Sequence, residues 1–264
     1  MKTTPRDIRS QRVYLRAPLA GGDKVPLERA QINYLVNVLR LQPGAEVRVF
    51  NGRDGEWQAT LVDESRMEWR LDIGVQIRPQ PPPSDLHLLF VPLRQARFDY
   101  MVEKAVEMGV GRLRPVFSQH GQVTRLKADR MAAHVVEAAE QCGILAVPAI
   151  DTPRQLVPLI DGWPEEDAGR HIVFCDEQHS TCDPSSILSR IEPSPLAVLI
   201  GPEGGFSDSE RRLLRSKPFI TGLPLGPRIL RADTAAVAAL ALVQALLGDW
   251  REVPPTPYCG KTNL

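Results

Sequence analysis

Residues 196–210 read LAVLIGPEGGFSDSE: an apolar run, a glycine-rich turn, and a serine followed three places on by glutamate. Leu196–Ile200 has the character of a buried strand, and Ser207 with Glu210 is the residue pair of a capping box that opens a helix. The turn therefore stands where a strand hands over to a helix. Strand carboxyl ends and helix amino ends leave a crevice there, lined by free backbone N–H groups. Phosphate is the first guest to consider, and the residues argue against it. A P-loop requires a Lys-Ser/Thr pair after its glycines and a dinucleotide fingerprint requires G-x-G-x-x-G, and the turn carries neither. Glu203 would also set a carboxylate among donors meant for an anion. A neutral or cationic ligand suits the turn better.

A second stretch of this kind, LGPRILRADTAA at residues 225–236, also lies at a strand-to-helix junction. Alone, Gly201-Pro202 or Gly226-Pro227 would be only a tight turn. As a pair they are expected to meet at one sheet edge. There they would combine backbone donors and acceptors with an apolar lining from Ile200, Leu225, Ile229 and Leu230. Such a setting suits a flat adenine and a short aliphatic chain.

The elements that must position these turns follow from the rest of the pattern. PQPPPSD, residues 79–85, favours extended polyproline II and divides the chain into expected domains at 1–79 and 80–264. Before it, AEVRVFNG and EWQATLVD alternate like strands and are broken by Asn51-Gly52 and Asp54-Gly55, a small β-rich module. One helix over residues 31–41 places Ile32, Leu35, Val36 and Leu39 on one face and stops at Pro43-Gly44. Beyond the linker, DLHLLFVPL, LRPVF, HIVFC, LAVLI and FITGLPL read as strands. Between them lie a helical stripe of Phe98, Met101, Val102, Ala105 and Val106 ending at Gly109, and a helix with Met131, Val135, Ala138 and Cys142 inward and Gly143 as its cap. The alternation predicts an α/β fold with a mainly parallel sheet covered on both faces.

The final helix, TAAVAALALVQALL, contains no charge and is too short for a membrane span of about 20 residues. It must be enclosed by protein, either threaded into its own domain or packed on a second subunit, and homodimerisation is the favoured expectation. No membrane association is expected. The opening MKTTPRDIRSQR lacks the apolar core of a signal peptide, which points to a cytoplasmic protein. Among the four cysteines no C-x-x-C pair occurs, so reduced thiols are expected. His171, Cys175, His179 and Cys182 lie close in sequence, but their spacing fits no usual zinc pattern and no metal is expected.

The 32 basic and 32 acidic residues balance, yet residues 1–53 hold ten basic against four acidic ones. A local basic surface of that kind either contacts phosphate backbone or is simply a solvated face. Arg12, Arg16, Arg40 and Arg53 are its candidate RNA contacts.

LIGPEGG followed by LGPRILRADTAA resembles the paired carboxyl-terminal motifs of the knotted SPOUT methyltransferases, specifically the RsmE group of small-subunit ribosomal RNA uracil-N3 methyltransferases. VEKAVEMGV and EAAEQCG with VPAI resemble the group's middle motifs, and NYLVNVLRLQPGAEVRVFNG is similar to its amino-terminal PUA-like RNA-binding module. The resemblance implies a trefoil-knotted sheet, S-adenosylmethionine bound in the knot, and a homodimer whose partner completes the RNA site. The implied substrate is small-subunit (16S) ribosomal RNA, in an assembled subunit. By position, Ile200, Gly201, Glu203 and Gly205 fall in the first cofactor loop, Leu225, Gly226, Ile229 and Leu230 in the second, and Arg231 beside the transferring methyl. The chain departs from the group at Asp233, where glutamate is usual, and at His120 and Ile144, where arginine is usual. The tail REVPPTPYCGKTNL has no counterpart in the group.

Uracil N3 carries a proton, so its methylation requires a base or a stabiliser of developing negative charge. Arg231 and Asp233 are the catalytic candidates, the arginine facing the uracil oxygens or a phosphate and the aspartate orienting it. Asp233 could instead cap the helix that follows. Glu203 either orients the cofactor or assists proton removal. Two other functions share these motifs: methylation of another RNA or of a ribose 2′-hydroxyl, and a non-catalytic RNA-binding assembly factor.

Overall fold

The computed structural model describes residues 11–65, 68–176 and 183–251, and the chain forms two compact units. The first unit comprises the residues up to Pro83 together with Val136–Val147. Its sheet is built from β1 (Arg12–Tyr14), β2 (Lys24–Pro26), β3 (Glu46–Phe50), β4 (Glu56–Ser65) and β5 (Glu68–Arg78), in the order β1-β3-β4-β5-β2. β1 runs parallel to β3 and the other pairs are antiparallel. Every second residue, Val13 and Leu15, Val47 and Val49, Ala59 and Leu61, Leu71 and Ile73, points into one apolar core. That is the period of a sheet with one buried face.

The helix expected over residues 31–41 is two segments. α1 (Arg29–Ile32) passes directly into a π-helical stretch, Asn33–Val38. Leu35 is fully buried, with Ile32, Val36 and Leu39 packed on the same core, so the predicted inward face holds although the helix type differs. The wide turn closes through the Leu39 N–H donating to the Tyr34 carbonyl at 2.9 Å and the Leu41 N–H donating to the Leu35 carbonyl at 3.0 Å. Arg40 sits inside that closure at φ 56°, the one non-glycine residue with positive φ among the described residues. A side chain in this left-handed region costs about 1 kcal/mol or more.

Residues 136–147 lie beyond the proline linker in sequence, yet they join the first unit. The end of helix α3 (Ala128–Cys142) explains this, because its last carbonyls need donors. Arg12 supplies Nη1 to the carbonyls of Ala139 (2.6 Å) and Glu140 (2.8 Å) and Nη2 to that of Ile144 (3.2 Å), while Arg78 Nη2 reaches the Gly143 carbonyl at 3.1 Å. Glu56, with a side chain 0% exposed, accepts from Arg12 Nε and from Arg78 Nε, each at 2.7 Å. Arg12 also lies 4.4 Å over the Phe50 ring. The expectation that Arg12 contacts RNA is therefore corrected. Its side chain is 10% exposed, and its guanidinium is used within the unit.

The second unit contains β6 (Leu86–Phe90), α2 (Gln95–Glu107), β7 (Arg112–Phe117), the start of α3, β8 (Ala149–Ile150), β9 (Arg154–Gln155), α4 (Leu156–Asp161), α5 (Trp163–Glu166) and β10 (His171–Cys175). It continues with α6 (Pro184–Leu188), β11 (Leu196–Ile200), α7 (Asp208–Ser216), β12 (Ile220–Leu223) and α8 (Ala232–Leu246). The strand order is β12-β10-β11-β6-β7-β8, all parallel, with β9 parallel to β7. Every residue of β6 and β11 is buried, as a parallel sheet covered on both faces requires. α8 buries Ala235, Ala236, Ala239, Leu240 and Val243, and Gln244 Nε2 donates to the Met108 carbonyl at 2.7 Å. Its other side, Val237, Ala238, Ala241 and Leu242, is half-buried and equally apolar. No helix among the described residues is long and apolar enough to cross a membrane.

Burial alone would raise the Glu56 carboxyl, but hydrogen bonds from Arg78 and Arg12 outweigh it and hold the group below its ordinary 4.5. A carboxylate depressed in this way stabilises the fold fully above the unfolded value, and its contribution is lost as pH falls through the folded value. Glu56→Gln should cost about 3–5 kcal/mol at neutral pH in urea unfolding, because it leaves two guanidiniums without their counter-ion. The gap between variant and parent should close as pH drops below 4.5. An equal gap at every pH would contradict the assignment.

Candidate active site

β12, β10 and β11 lie side by side and parallel, so their carboxyl ends open on one edge of the sheet. A cavity of about 350 Å³ lies there. Its walls include Ile200, Gly201, Glu203 and Gly205 from the first turn, Leu225, Gly226, Ile229, Leu230 and Arg231 from the second, and Ala232 and Ala235 from α8. All eight residues expected to hold a cofactor thus surround one space. The strands carrying the two turns are not immediate neighbours, because β10 is inserted between them and brings Cys175 and Asp176 to the same wall.

The local chemistry explains why the turns hold this shape. Ser207 caps α7 as expected: its Oγ accepts from the Glu210 N–H at 3.3 Å, and Glu210 Oε2 accepts from the Ser207 N–H at 2.9 Å. Glu210 also accepts from the Gln119 N–H at 2.8 Å, tying the turn to the end of β7. Gly201 is needed for close approach, since a Cβ there would stand 2.7 Å from the Phe206 ring. Gly226 is needed for conformation, with φ 91° and nothing near its missing side chain. Phe206 in turn packs edge-on against Phe174 at 5.4 Å.

Three features of the cavity were not drawn from the sequence. Arg97, in the first turn of α2, pairs with Glu203 at the rim. Asp176, with a fully buried side chain, accepts from Arg211 Nη1 at 2.8 Å and from Arg215 Nε at 2.8 Å. Arg211 also donates to the Phe206 carbonyl at 3.1 Å, so this acid braces the first turn from behind. The Cys175 thiol is pushed up to about 12 by burial and then by Asp176. At neutral pH it stays protonated and offers no thiolate to an electrophile in the cavity. One signal in the sequence pointed to these residues. Cys175 ends a strand with Asp176 directly after it, and Arg97 lies just beyond another, where ligands of open α/β sheets gather.

Arg231 is exposed and stands at the N-cap position of α8. Asp233 does not line the cavity. Its Oδ1 accepts from the Thr234 N–H at 2.9 Å, and among the described residues no hydrogen bond or ion pair joins it to Arg231. Ile229 is 90% exposed at the mouth. His120 is exposed and lies beside the first turn, its Cβ 3.6 Å from where a Cβ of residue 204 would be. Ile144, in the first unit, accepts from Arg12 as described above. Arg16, Arg40 and Arg53 are exposed, Arg53 with Nε 3.5 Å from Asp54. His171 Nε2 bonds Thr221 Oγ1 at 2.8 Å, while His179, Cys182 and the tail from residue 252 lie outside the described residues.

A parallel sheet with a turn-lined cavity at its carboxyl edge, joined in sequence to a small β unit, defines the class. Residues 80–244 match the family described as RNA methyltransferase domain, and residues 27–67 match the RNA methyltransferase PUA domain. The chain is 31% identical over 229 residues to ribosomal RNA small subunit methyltransferase E of Synechocystis, covering 84% of this chain and 73% of the relative. With the protein of that name from Rickettsia conorii it shares 28% over 250 residues, covering 93% of this chain and 100% of the relative. A solved structure of ribosomal RNA small subunit methyltransferase E from Neisseria gonorrhoeae, bound to S-adenosyl methionine, superimposes with a TM-score of 0.78 at 27% identity, covering 92% of this chain and 100% of that one. The chain belongs to the ribosomal RNA small subunit methyltransferase E family.

Gly201→Ala should lower S-adenosylmethionine affinity at least about ten-fold in calorimetry while costing about 1–3 kcal/mol of stability, as overpacking does. Unchanged affinity would separate this turn from the cofactor.

Proposed function

We propose that this enzyme transfers a methyl group from S-adenosylmethionine to N3 of a uridine in small-subunit ribosomal RNA, acting as a cytoplasmic homodimer on the assembled subunit. The observation that carries the reading is the convergence of the GPEGG and LGPRIL turns on one cavity with Arg231 at its mouth. The donor set suits the cofactor. Ile200, Leu225, Ile229 and Leu230 give an apolar berth for adenine, and the glycines leave backbone polar groups accessible. When bound, the cofactor supplies an electrophilic methyl on a sulfonium.

The chain's own residues supply the rest. Uracil N3 must lose its proton, and the charge that develops spreads to the ring oxygens. Arg231 is placed to hydrogen-bond those oxygens and favour that ionised form. Glu203, held by Arg97 at the rim, either orients the cofactor or receives the proton. Asp233 acts on the first turn of α8, through the Thr234 N–H, rather than through Arg231. Arg228 shares the cavity with Arg231 and adds positive charge for the RNA backbone. The half-buried apolar side of α8 supports the dimer, since no face of that helix is suited to water. The carboxyl-terminal knot implied by the resemblance belongs to the same proposal.

Arg231→Ala should abolish methylation of undermethylated small subunits while S-adenosylmethionine affinity changes less than about three-fold, the signature of an interaction made mainly in the transition state. Nucleosides from a strain lacking the protein should lose N3-methyluridine. Loss of a ribose-methylated nucleoside instead, or full activity of the variant, would overturn the reading.

A further inference from the structure

The charged side chains on the cavity wall are not equally available to a guest. Among the described residues they are Arg97, Asp176, Glu203, Arg211, Arg228 and Arg231. Asp176 and Arg211 are engaged with each other, at 0% and 7% exposure, and opening such a pair leaves a buried charge uncompensated. Arg97 and Glu203 are paired as well, but at 36% and 33% exposure. An ion pair in that position contributes little to stability and exchanges its partners readily.

The fold sets the two charges side by side. β6 and β11 are parallel neighbours, α2 starts after β6 and the GPEGG turn follows β11, so the third residue of the helix meets the third residue of the turn. There the charges cancel for a guest of one sign. A phosphate that took Arg97 would leave Glu203 unpaired, and an amine that took Glu203 would leave Arg97 unpaired. A free α-amino acid end carries both signs on one carbon. Its carboxylate accepts from the guanidinium in two parallel N–H···O bonds while its ammonium donates to the glutamate, and all four charges end up paired.

We propose that Arg97 and Glu203 form the subsite for the amino-acid end of S-adenosylmethionine, Arg97 receiving its carboxylate and Glu203 its ammonium. The pair seen at the rim is then the closed form of that subsite, and the guest replaces each partner with an equivalent one. Of the two roles open to Glu203, orientation of the cofactor is the one assigned, since a carboxylate engaged by the ammonium is not free to take the N3 proton. This subsite presupposes the methyltransferase reading and adds a residue of α2 to it.

The test is calorimetry on the full chain with three ligands. They are S-adenosylmethionine, its decarboxylated form, which keeps the ammonium, and 5′-methylthioadenosine, which has neither group. Arg97→Gln should weaken S-adenosylmethionine binding about ten-fold, the loss of charge-assisted bonds, and leave methylthioadenosine within about two-fold of the parent. It should bind the decarboxylated form at least as tightly as the parent does, because no guanidinium is left unpaired. Glu203→Gln should weaken both ammonium-bearing ligands about ten-fold and again spare methylthioadenosine. Parent-like S-adenosylmethionine affinity in either variant, or an equal loss on methylthioadenosine, would overturn the subsite. Failure of the parent itself to bind S-adenosylmethionine would instead sink the proposed function.

Discussion

Parallel alignment of β10, β11 and β12 is the constraint on which the site depends. Parallel strands end on the same side, so the turns that follow them crowd one edge, and each turn must expose backbone polar groups that no further strand can satisfy. Gly201 lets Phe206 fold back against the first turn, and Gly226 lets the second turn away from the sheet. What remains between them is a space lined by both apolar and polar groups, with arginines at its mouth. The helices that follow β11 and β12 both begin at this space, which is why both turns precede a helix start.

Local signals in the sequence were legible because their physics is local. The capping box at Ser207 and Glu210, the buried run LAVLI and the glycine at Gly143 were all found where they were read. The two turns could be paired for the same reason, as each carries its own strand end and helix start. The insertion of β10 between the strands that carry them was not legible, and with it went Asp176. That acid meets Arg211 and Arg215, 35 and 39 residues away, only after the sheet order is fixed. Likewise the inward face of residues 29–38 was visible as apolar spacing, but a wide π turn and a normal α turn bury nearly the same residues over so short a stretch.

Charge was the least transferable signal. Counting arginines near the amino terminus suggested a basic surface, yet Arg12 is enclosed by Glu56, Phe50 and the carbonyl end of α3. The sequence could not separate it from Arg16 or Arg40, which are exposed, because the difference lies in a helix more than a hundred residues away. The resulting cluster also explains why a segment beyond the proline linker belongs to the first unit. A helix end with orphan carbonyls and a buried carboxylate between two guanidiniums each need the other's partners.

The most direct measurement is a crystal structure of the chain grown with S-adenosylmethionine. The cofactor is expected between the Gly201 to Gly205 turn and the Leu225 to Leu230 turn, its methyl facing Arg231. Cofactor density at any other place, or those two turns lying apart with no common space, would contradict it.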